Sequence, residues 1–206
     1  MPKGSEELTE QRKNEIIEAC ARLYETKGLK EITIKDISTE TSFSRPSIYN
    51  YFETREEIFL ALLTREYYEW GRALRQIVSE KKKTGADELA KKLAKSMEKR
   101  SVMLKISAMN LYEIEENSRI ERLVGFKVCF KASMDAFNEC LRQYLPEMTD
   151  ARIAEITYAF FPFMYGIYPY ACPTEKQCRA MNDAKISYKV QSIYELTYRF
   201  LIRILK

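Results

Sequence analysis

The segment that most constrains the fold is residues 33–55, TIKDISTETSFSRPSIYNYFETR, because three helix caps are possible within it. Thr33 stands three residues before Asp36, and this spacing predicts that the Thr33 hydroxyl caps the first N–H groups of a helix. Ile34 and Ile37 supply the apolar side of that helix. A chain with helix starts so close together folds into short helices joined by turns.

Two further helix starts follow in the same segment. Ser44 is a possible cap, and Pro46 comes shortly after it, where a missing N–H group is harmless in the first turn of a helix. The pattern predicts a second helix of two turns. Thr54 and Glu57 then have the spacing of a capping box and precede an apolar run. The segment therefore predicts helix, turn, helix, turn and a third helix.

The remainder of the chain also favours helices. Only 6 Gly and 6 Pro occur among 206 residues, and the hydrophobic content of 46% permits a substantial core. Apolar residues recur at helical spacing from Glu10 to Tyr24. We predict an all-α protein with a compact three-helix domain of helix-turn-helix type at residues 1–53. A larger helical domain follows at 54–206.

About nine helices are predicted in all. A long helix begins after Thr54 and joins the two domains, ending near Lys83. The later helices are predicted over residues 87–100, 101–116, 119–145, 150–168 and 183–205, with a loop at 169–182.

The cysteines favour a reducing compartment. Five are present, an odd number, and they are widely scattered. No apolar segment typical of a signal peptide opens the sequence, so a cytoplasmic location is expected. Cys172 and Cys178 could suggest a metal or redox site, but their spacing matches no standard zinc pattern and the chain contains no His. Inert cysteines are the preferred interpretation, and no metal or cofactor is predicted.

An uncharged run at residues 156–173 has two interpretations. Its length would allow a membrane span. Pro162, Pro169 and Gly166 stand against a span, as do four tyrosines spread along the run where a lipid-facing helix would carry Leu, Ile or Val. We therefore expect a helix buried on most sides by protein, with no membrane contact.

Residues 42–58, SFSRPSIYNYFETREEI, resemble the recognition-helix signature of the TetR family of transcriptional regulators, and the likeness extends over residues 10–60. Ser42 stands where the family usually has a turn Gly, and Arg55 where it usually has Lys. Ser tolerates a turn and Arg keeps the charge. The resemblance implies a three-helix DNA-binding domain followed by a larger helical domain that dimerises and often binds a small effector.

The resemblance also implies which residues face DNA. Base contacts are expected from Lys35, Arg45, Pro46, Ser47 and Asn50, and phosphate contacts from Thr33, Ser44, Tyr49, Tyr51 and Arg55. Arg can bind guanine and Asn adenine in the major groove. Ile48 and Phe52, four residues apart, define the inward side of the second helix and leave both tyrosine hydroxyls free. The alternative for the outward residues is a solvated surface.

Overall charge does not by itself indicate a nucleic-acid ligand. The chain carries +4, but residues 1–60 contain nine Lys and Arg against twelve Asp and Glu. Phosphate contact needs a few positive groups on one face rather than a basic total. The acids at positions 6, 7, 10, 15 and 18 are expected to lie on the first helix, away from DNA.

The larger domain contains candidates for two further sites. Aromatic and methionine side chains could line an effector cavity: Trp70, Met103, Met109, Tyr112, Phe126, Phe130, Phe137, Tyr158, Phe161, Met164 and Tyr168. An ordinary core has the same composition and is the preferred interpretation, whereas a cavity would accept an apolar or aromatic molecule. The last two predicted helices are expected to form a four-helix dimer contact that includes Tyr188, Ile193, Leu196, Phe200 and Leu201.

Two functional hypotheses follow. The first is a homodimeric repressor that binds a palindromic double-stranded operator through two recognition helices about 34 to 36 Å apart and leaves it when a small effector binds. The second is a helical structural or partner-binding protein whose large domain senses another protein. An enzyme is not expected, because Ser-His and Cys-His nucleophile pairs need a His and no phosphate-binding Gly motif is present.

Overall fold

The computed structural model describes residues 3–80 and 85–206, with side chains from Glu6 onward. Over these residues the secondary structure consists of twelve α-helices and one short 3-10 helix, without a β-strand. The predicted all-α class is therefore confirmed, and the described residues form more helices than the nine predicted.

The helices follow one another through short connections. The first six are α1 (Lys3–Thr26), α2 (Ile34–Thr39), α3 (Arg45–Ile48), α4 (Arg55–Ser79), α5 (Gly85–Glu98) and α6 (Ser101–Met109). The other six are α7 (Leu111–Glu116), α8 (Ile120–Tyr144), α9 (Asp150–Gly166), α10 (Tyr168–Ala171), α11 (Glu175–Asp183) and α12 (Ile193–Ile204). The 3-10 helix, Leu29–Glu31, lies between α1 and α2.

Several bounds differ from the predicted ones. α1 begins at Lys3 rather than near Glu10, and the helix predicted over residues 101–116 is divided into α6 and α7. α4 ends at Ser79. Its predicted end near Lys83 lies outside the described residues.

After α9 the structure differs from the prediction in two ways: residues 169–182 are mostly helical, and the last helix begins ten residues later than predicted. The loop predicted at 169–182 contains α10 and most of α11, and the predicted last helix is shortened to α12. Thr174 and Gln177 form a capping box that begins α11, and Ser192 and Glu195 form another that begins α12. Both boxes are visible in the sequence as Thr or Ser followed three residues later by Gln or Glu, so capping chemistry was a usable signal.

The chain divides into two compact units. Unit 1 comprises Met1–Glu66 and Asn110–Cys129, and unit 2 comprises Tyr67–Met109 and Phe130–Lys206. This division differs from the boundary predicted between residues 53 and 54. The reason is that the first turns of α4 and the returning segment Asn110–Cys129 pack with the N-terminal helices.

The core of unit 1 joins its first three helices. Ile16 and Cys20 of α1 and Ile37 of α2 are buried, together with Ile48 and Phe52. The predicted inward side of the second short helix is therefore confirmed. Burial raises the pKa of the Cys20 thiol to about 12, so this side chain remains a neutral core group.

The core of unit 2 is rich in aromatic rings. Phe137 and Phe160 stack with their centroids 4.6 Å apart, and Trp70 lies against Phe160 and Phe161. The indole Nε1–H of Trp70 donates a hydrogen bond to Ser96 Oγ at 3.1 Å, which satisfies its one polar group inside the core. The rings are thus in direct contact with one another in this conformation.

α9 carries most of the uncharged run at 156–173. Ile156, Phe160 and Met164 are buried on one side of the helix, whereas Tyr158 is 81% exposed. The expectation of burial on most sides is therefore wrong for the single chain, because only one side of α9 meets its own unit. Among the described residues, no helix is both long enough and apolar enough to cross a membrane.

A buried carboxylate joins the two chain segments of unit 1. Glu57 is 1% exposed, and its side chain accepts hydrogen bonds from Arg119 Nε at 2.6 Å and Arg119 Nη2 at 2.8 Å. The Glu57 N–H donates to Thr54 Oγ1 at 3.1 Å, as the capping pattern predicts. The carboxylate, however, accepts from the N–H of Glu53 at 2.9 Å, so the predicted box is formed on the Thr54 side alone.

The environment of Glu57 favours its charged form. Burial raises the pKa of the carboxyl group, but the hydrogen bonds from Arg119 and from the Glu53 N–H outweigh burial and bring the pKa below its usual range. The charged pair therefore stabilises unit 1 at neutral pH.

We expect Glu57→Gln to lower the free energy of unfolding by about 1 to 3 kcal/mol near neutral pH, because the amide loses charge-assisted hydrogen bonds. Since folding lowers the pKa of Glu57, its stabilisation is present above the unfolded value of roughly 4.3 and is lost as the pH falls through the folded value. Urea unfolding between about pH 7 and pH 3 should show the variant and wild-type curves converging at the acid end.

Glu98→Gln serves as the control, because this carboxylate is exposed at the end of α5 and pairs only with Lys95 among the ion pairs of the described residues. Its effect should stay within about 0.5 kcal/mol. A Glu57→Gln deficit of the same size at every pH would contradict the prediction.

Candidate nucleic-acid interface

α2 begins with the predicted capping box. The Asp36 N–H donates to Thr33 Oγ1 at 3.2 Å, and the Thr33 N–H donates to Asp36 Oδ2 at 2.8 Å. The hydrogen bonds from Thr33 keep the pKa of Asp36 below its usual range. Lys35 is exposed on the first turn of this helix, where the prediction placed a DNA contact.

α3 is shorter than predicted but continues as a series of turns. Its α-helical part spans Arg45–Ile48, and the N–H groups of Tyr51 and Phe52 both donate to the Ile48 carbonyl, at 2.9 and 3.1 Å. Ser44 occupies the cap position, yet its hydroxyl lies 2.9 Å from Ser47 Oγ instead of capping a backbone N–H. The helical turns therefore continue from Arg45 to Phe52, but only one of them is α-helical, whereas two were predicted. We call residues 45–52 the α3 coil.

The outward side of α3 carries the predicted base-contacting residues. Arg45, Pro46 and Asn50 are exposed, and Ser47 is half-buried. The Arg45 guanidinium lies over the Tyr49 ring, 5.9 Å from its centroid, and donates to the Tyr49 hydroxyl at 3.2 Å. This contact holds the long arginine side chain along the helix, and the arginine remains exposed.

The predicted contacts of α2 and α3 meet on one concave surface. Thr33 and Lys35 of α2 and Arg45 and Tyr49 of the α3 coil all line it. We call this the α2–α3 surface. It combines two exposed cations with hydroxyl groups, which are the groups that bind phosphates and base edges, and it also contains the ion pair of Arg55 and Glu56.

Arg12 was missed by the sequence reasoning. It lies on α1, donates to the Tyr51 hydroxyl at 3.1 Å and is 5.7 Å from the centroid of the Phe43 ring. The predicted phosphate-binding residue Tyr51 is thus positioned by a cation that is itself exposed. No local pattern marks Arg12, because its partners Phe43 and Tyr51 lie 31 and 39 residues further along the chain.

Glu15 corrects the expectation that the acids of the first helix lie away from the DNA-facing region. Its carboxylate accepts from the Ser42 N–H at 2.6 Å and approaches the Ser42 hydroxyl at 3.3 Å. Its charge therefore holds the turn between α2 and α3. Among the described non-Gly residues only Lys185 has a positive φ, so Ser42 replaces the usual turn Gly without left-handed backbone.

Arg55 also requires a correction. Its Nη1 donates to the carbonyls of Leu29 and Ile32, each at 3.1 Å, and its Nε donates to Glu56 at 3.0 Å. These bonds use most of the guanidinium donors within unit 1. Arg55 lines the α2–α3 surface, but its charge is already compensated by protein groups, so we remove it from the expected phosphate contacts.

Two family models match the chain. The model described as "Bacterial regulatory proteins, tetR family" matches residues 16–62, and the model described as "Tetracyclin repressor-like, C-terminal domain" matches residues 64–199. The chain belongs to the TetR family. The predicted resemblance is confirmed, and because this family consists of regulatory proteins, the expectation that the chain is not an enzyme is confirmed as well.

A curated relative supports the same assignment. The chain is 35% identical over 150 residues to the uncharacterized HTH-type transcriptional regulator YfiR of Bacillus subtilis strain 168. The match covers 72% of this chain and 63% of that protein, so it spans less than two thirds of the relative's length.

Solved structures share the fold at low sequence identity. The Bacillus subtilis regulator FadR in complex with stearoyl-CoA has a TM-score of 0.61 at 14% identity, covering 93% of this chain and 97% of that chain. A transcriptional regulator of the TetR/AcrR family from Thermobifida fusca YX-ER1 has a TM-score of 0.60 at 17% identity, also covering 93% and 97%. Both likenesses show the TetR-family architecture.

Some of the predicted effector residues lie together in this TetR-family chain: the rings of Trp70, Phe130 and Phe137 each contact the ring of Phe161. Trp70, Met103, Phe137, Phe161 and Met164 are buried in unit 2, and Phe130 and Tyr168 are half-buried there. Phe126 and Tyr112 belong to unit 1, and Tyr112, Met109 and Tyr158 are 81%, 61% and 81% exposed. The aromatic pattern therefore combines core positions with surface positions, because helical spacing does not reveal which side is covered.

The predicted dimer residues also separate. Ile193 and Leu201 are buried as α12 packs on α5, so they are removed from the expected interface. Phe200 stacks on Phe163 with centroids 3.9 Å apart, and the Tyr188 hydroxyl donates to the Tyr170 carbonyl at 2.7 Å. These two residues and Leu196 remain half-buried. The buried side of α12, which carries Ile193 and Leu201, thus packs on α5 of the same chain.

We expect Arg45→Ala to reduce affinity for the preferred duplex by about 1 to 3 kcal/mol and to relax discrimination at one base pair, because a bidentate arginine contact is lost. The preferred duplex would first be selected from random-sequence DNA, and affinity would then be measured by gel shift. Arg72→Ala removes an exposed arginine of α4 that pairs with Glu69 and should leave affinity unchanged. Equal binding by wild type and Arg45→Ala would contradict the contact.

Proposed function

We propose that this TetR-family regulator is a homodimeric transcriptional repressor that binds a palindromic operator and is released from it by an apolar effector. Because its target is chromosomal DNA, it would act in the cytoplasm. The observation that carries the DNA-binding part is the convergence of Thr33, Lys35, Arg45 and Tyr49 on the α2–α3 surface.

The proposed DNA contacts follow from the chemistry of that surface. Arg45 and Asn50 would bind base edges in the major groove, with Lys35, Pro46 and Ser47 beside them. Thr33, Ser44, Tyr49 and Tyr51 would contact phosphates, and we add Arg12 because it is exposed beside Tyr51.

The proposed dimer uses the open side of α9. Tyr158 is a large ring that is 81% exposed on this helix, and its exposed neighbours towards the helix C-terminus, Ala159 and Pro162, are apolar. The charged side chains Arg152 and Glu155, nearer the start of the helix, pair with each other. A side of this composition is typical of a surface covered by a second copy. Leu196 and Phe200, half-buried on α12, would extend it. Two copies related by a twofold axis would then present two α3 coils to a palindrome.

The proposed effector is apolar because the core of unit 2 is. Trp70, Phe137, Phe160 and Phe161 form a cluster of rings in mutual contact. A ligand would enter by separating these rings, so it would select a conformation different from this one. The FadR structure contains stearoyl-CoA, and a long acyl chain is one apolar ligand that such a core could accept.

We expect Tyr158→Arg to convert the dimer into a monomer, because an arginine at the centre of the contact would lose water without gaining a partner. Analytical ultracentrifugation at micromolar concentration would measure the change, and affinity for the palindrome should fall with it. Tyr112→Arg is a matched control for the oligomeric state, since both rings are 81% exposed but Tyr112 lies on α7 in unit 1. A wild-type monomer would refute the two-site mechanism.

We expect stearoyl-CoA to release the protein from its selected duplex, whereas coenzyme A alone should not, because the acyl chain supplies the apolar contact. Fluorescence anisotropy of labelled DNA would report release, and a thermal-shift measurement would report binding. Binding without release would contradict the repressor mechanism. No response to stearoyl-CoA, free stearate or small aromatic ligands would remove the apolar effector from the proposal.

A further inference from the structure

We propose that Arg119 and Arg122, at the start of α8, are positioning residues for DNA recognition, so that the DNA-binding device of this chain includes residues 110–129. This inference rests on the proposed DNA-binding function. The family model for the DNA-binding domain ends at residue 62, but the compact unit that holds the α2–α3 surface includes the later segment. We call Arg119 and Arg122 the arginine pair.

Arg119 holds the connection between the α3 coil and α4. Its Nε and Nη2 donate to both oxygens of Glu57, its backbone N–H donates to Glu57 Oε1 at 3.3 Å, and its Nη1 lies 2.8 Å from a Glu53 oxygen. A guanidinium that makes two parallel bonds to a carboxylate fixes direction as well as distance. The start of α8 is therefore tied rigidly to the residues that follow the α3 coil.

Arg122 holds the end of the α3 coil itself. Its Nη2 donates to the Tyr51 carbonyl at 3.0 Å, and its guanidinium lies 5.9 Å from the centroid of the Phe52 ring. Tyr51 and Phe52 directly follow Tyr49 and Asn50, which face outward. Arg122 therefore acts on backbone that is continuous with the proposed DNA contacts.

Further bonds from the same segment reach other parts of unit 1. The Tyr24 hydroxyl of α1 donates to Asn110 Oδ1 at 2.9 Å, and the Thr54 hydroxyl donates to the Asn117 carbonyl at 2.9 Å. Segment 110–122 thus contacts α1, the α3 coil and the start of α4. The bonds from segment 110–122 therefore fix the positions of α1, the α3 coil and the start of α4 relative to one another.

The geometry of these contacts supplies orientation in addition to the stability that the Glu57–Arg119 pair contributes. The apolar core of unit 1 is already supplied by Ile16, Ile37, Ile48 and Phe52. The Glu57 side chain is fully buried and that of Arg119 is 39% exposed, so desolvation of the carboxylate offsets part of the attraction, whereas the paired hydrogen bonds also fix the direction of the guanidinium. Base contacts require side chains held within roughly 0.5 Å of the productive position. By binding Tyr51 and Glu53, the arginine pair would hold the α3 coil in the position that base contacts require.

The test uses the full-length protein and a duplex selected by the wild type from random DNA. We expect Arg119→Ala and Arg122→Ala each to weaken binding to the selected duplex by about tenfold or more, with binding to unselected DNA at low salt changed by less than about twofold. Circular dichroism and sedimentation would be measured on the same samples, so that the folded fraction and the dimer are known. Arg119→Lys should restore part of the affinity.

The partner of Arg119 is tested by a double-mutant cycle. Arg119→Ala and Glu57→Gln should be strongly non-additive in affinity for the selected duplex, because they remove the same contact. Lys131→Ala is the matched control: this exposed cation lies further along α8, in unit 2, and pairs with Asp135 at 2.6 Å. It should bind the selected duplex as the wild type does.

The outcomes separate the two proposals. If the wild type selects a duplex and the folded arginine variants bind it equally well, the positioning role is overturned while DNA recognition stands. A loss of equal size in Lys131→Ala, or equal losses on selected and unselected DNA, would also overturn the role, since it would reflect stability or charge alone. If the wild type selects no duplex, both proposals fail.

Discussion

Unit 1 depends on a single buried carboxylate. Glu57 is almost fully removed from water, and a carboxylate in that position is costly unless its oxygens are fully hydrogen-bonded. Arg119, 62 residues further along the chain, supplies most of the bonds. The charge of Glu57 therefore requires the start of α8 to be present beside the start of α4, which explains why a segment from the middle of the sequence belongs to the N-terminal unit.

Pairing within unit 1 also explains how a segment with more acids than bases can present a positively charged surface. Residues 1–60 carry more acids than bases, but several acids are used inside unit 1. Glu15 holds the turn at Ser42, Asp36 caps α2 and Glu57 binds Arg119. Lys35 and Arg45 remain exposed on the α2–α3 surface. A surface suited to phosphate thus arises from the placement of charges rather than from their sum.

In unit 2, α9 has one buried side and one exposed side, and both carry aromatic residues. α9 buries Ile156, Phe160 and Met164 against its own unit and leaves Tyr158 open. The aromatic core is densely packed, so an apolar ligand must compete with ring contacts already made. Binding would then necessarily change the packing of helices that carry those rings, and this is the kind of differential contact that a ligand-dependent switch requires.

The sequence alone determined the helical class, the start of α2, the Thr54 cap and the inward side of the α3 coil, because caps and periodicity act over three or four residues. The same local chemistry in Thr174 and Ser192 would have located α11 and α12. Only the tertiary structure decided the partners of Arg55, Glu57 and Arg119 and the side on which Tyr158 lies. Those outcomes depend on which distant segment arrives beside a side chain, and local spacing carries no information about that choice.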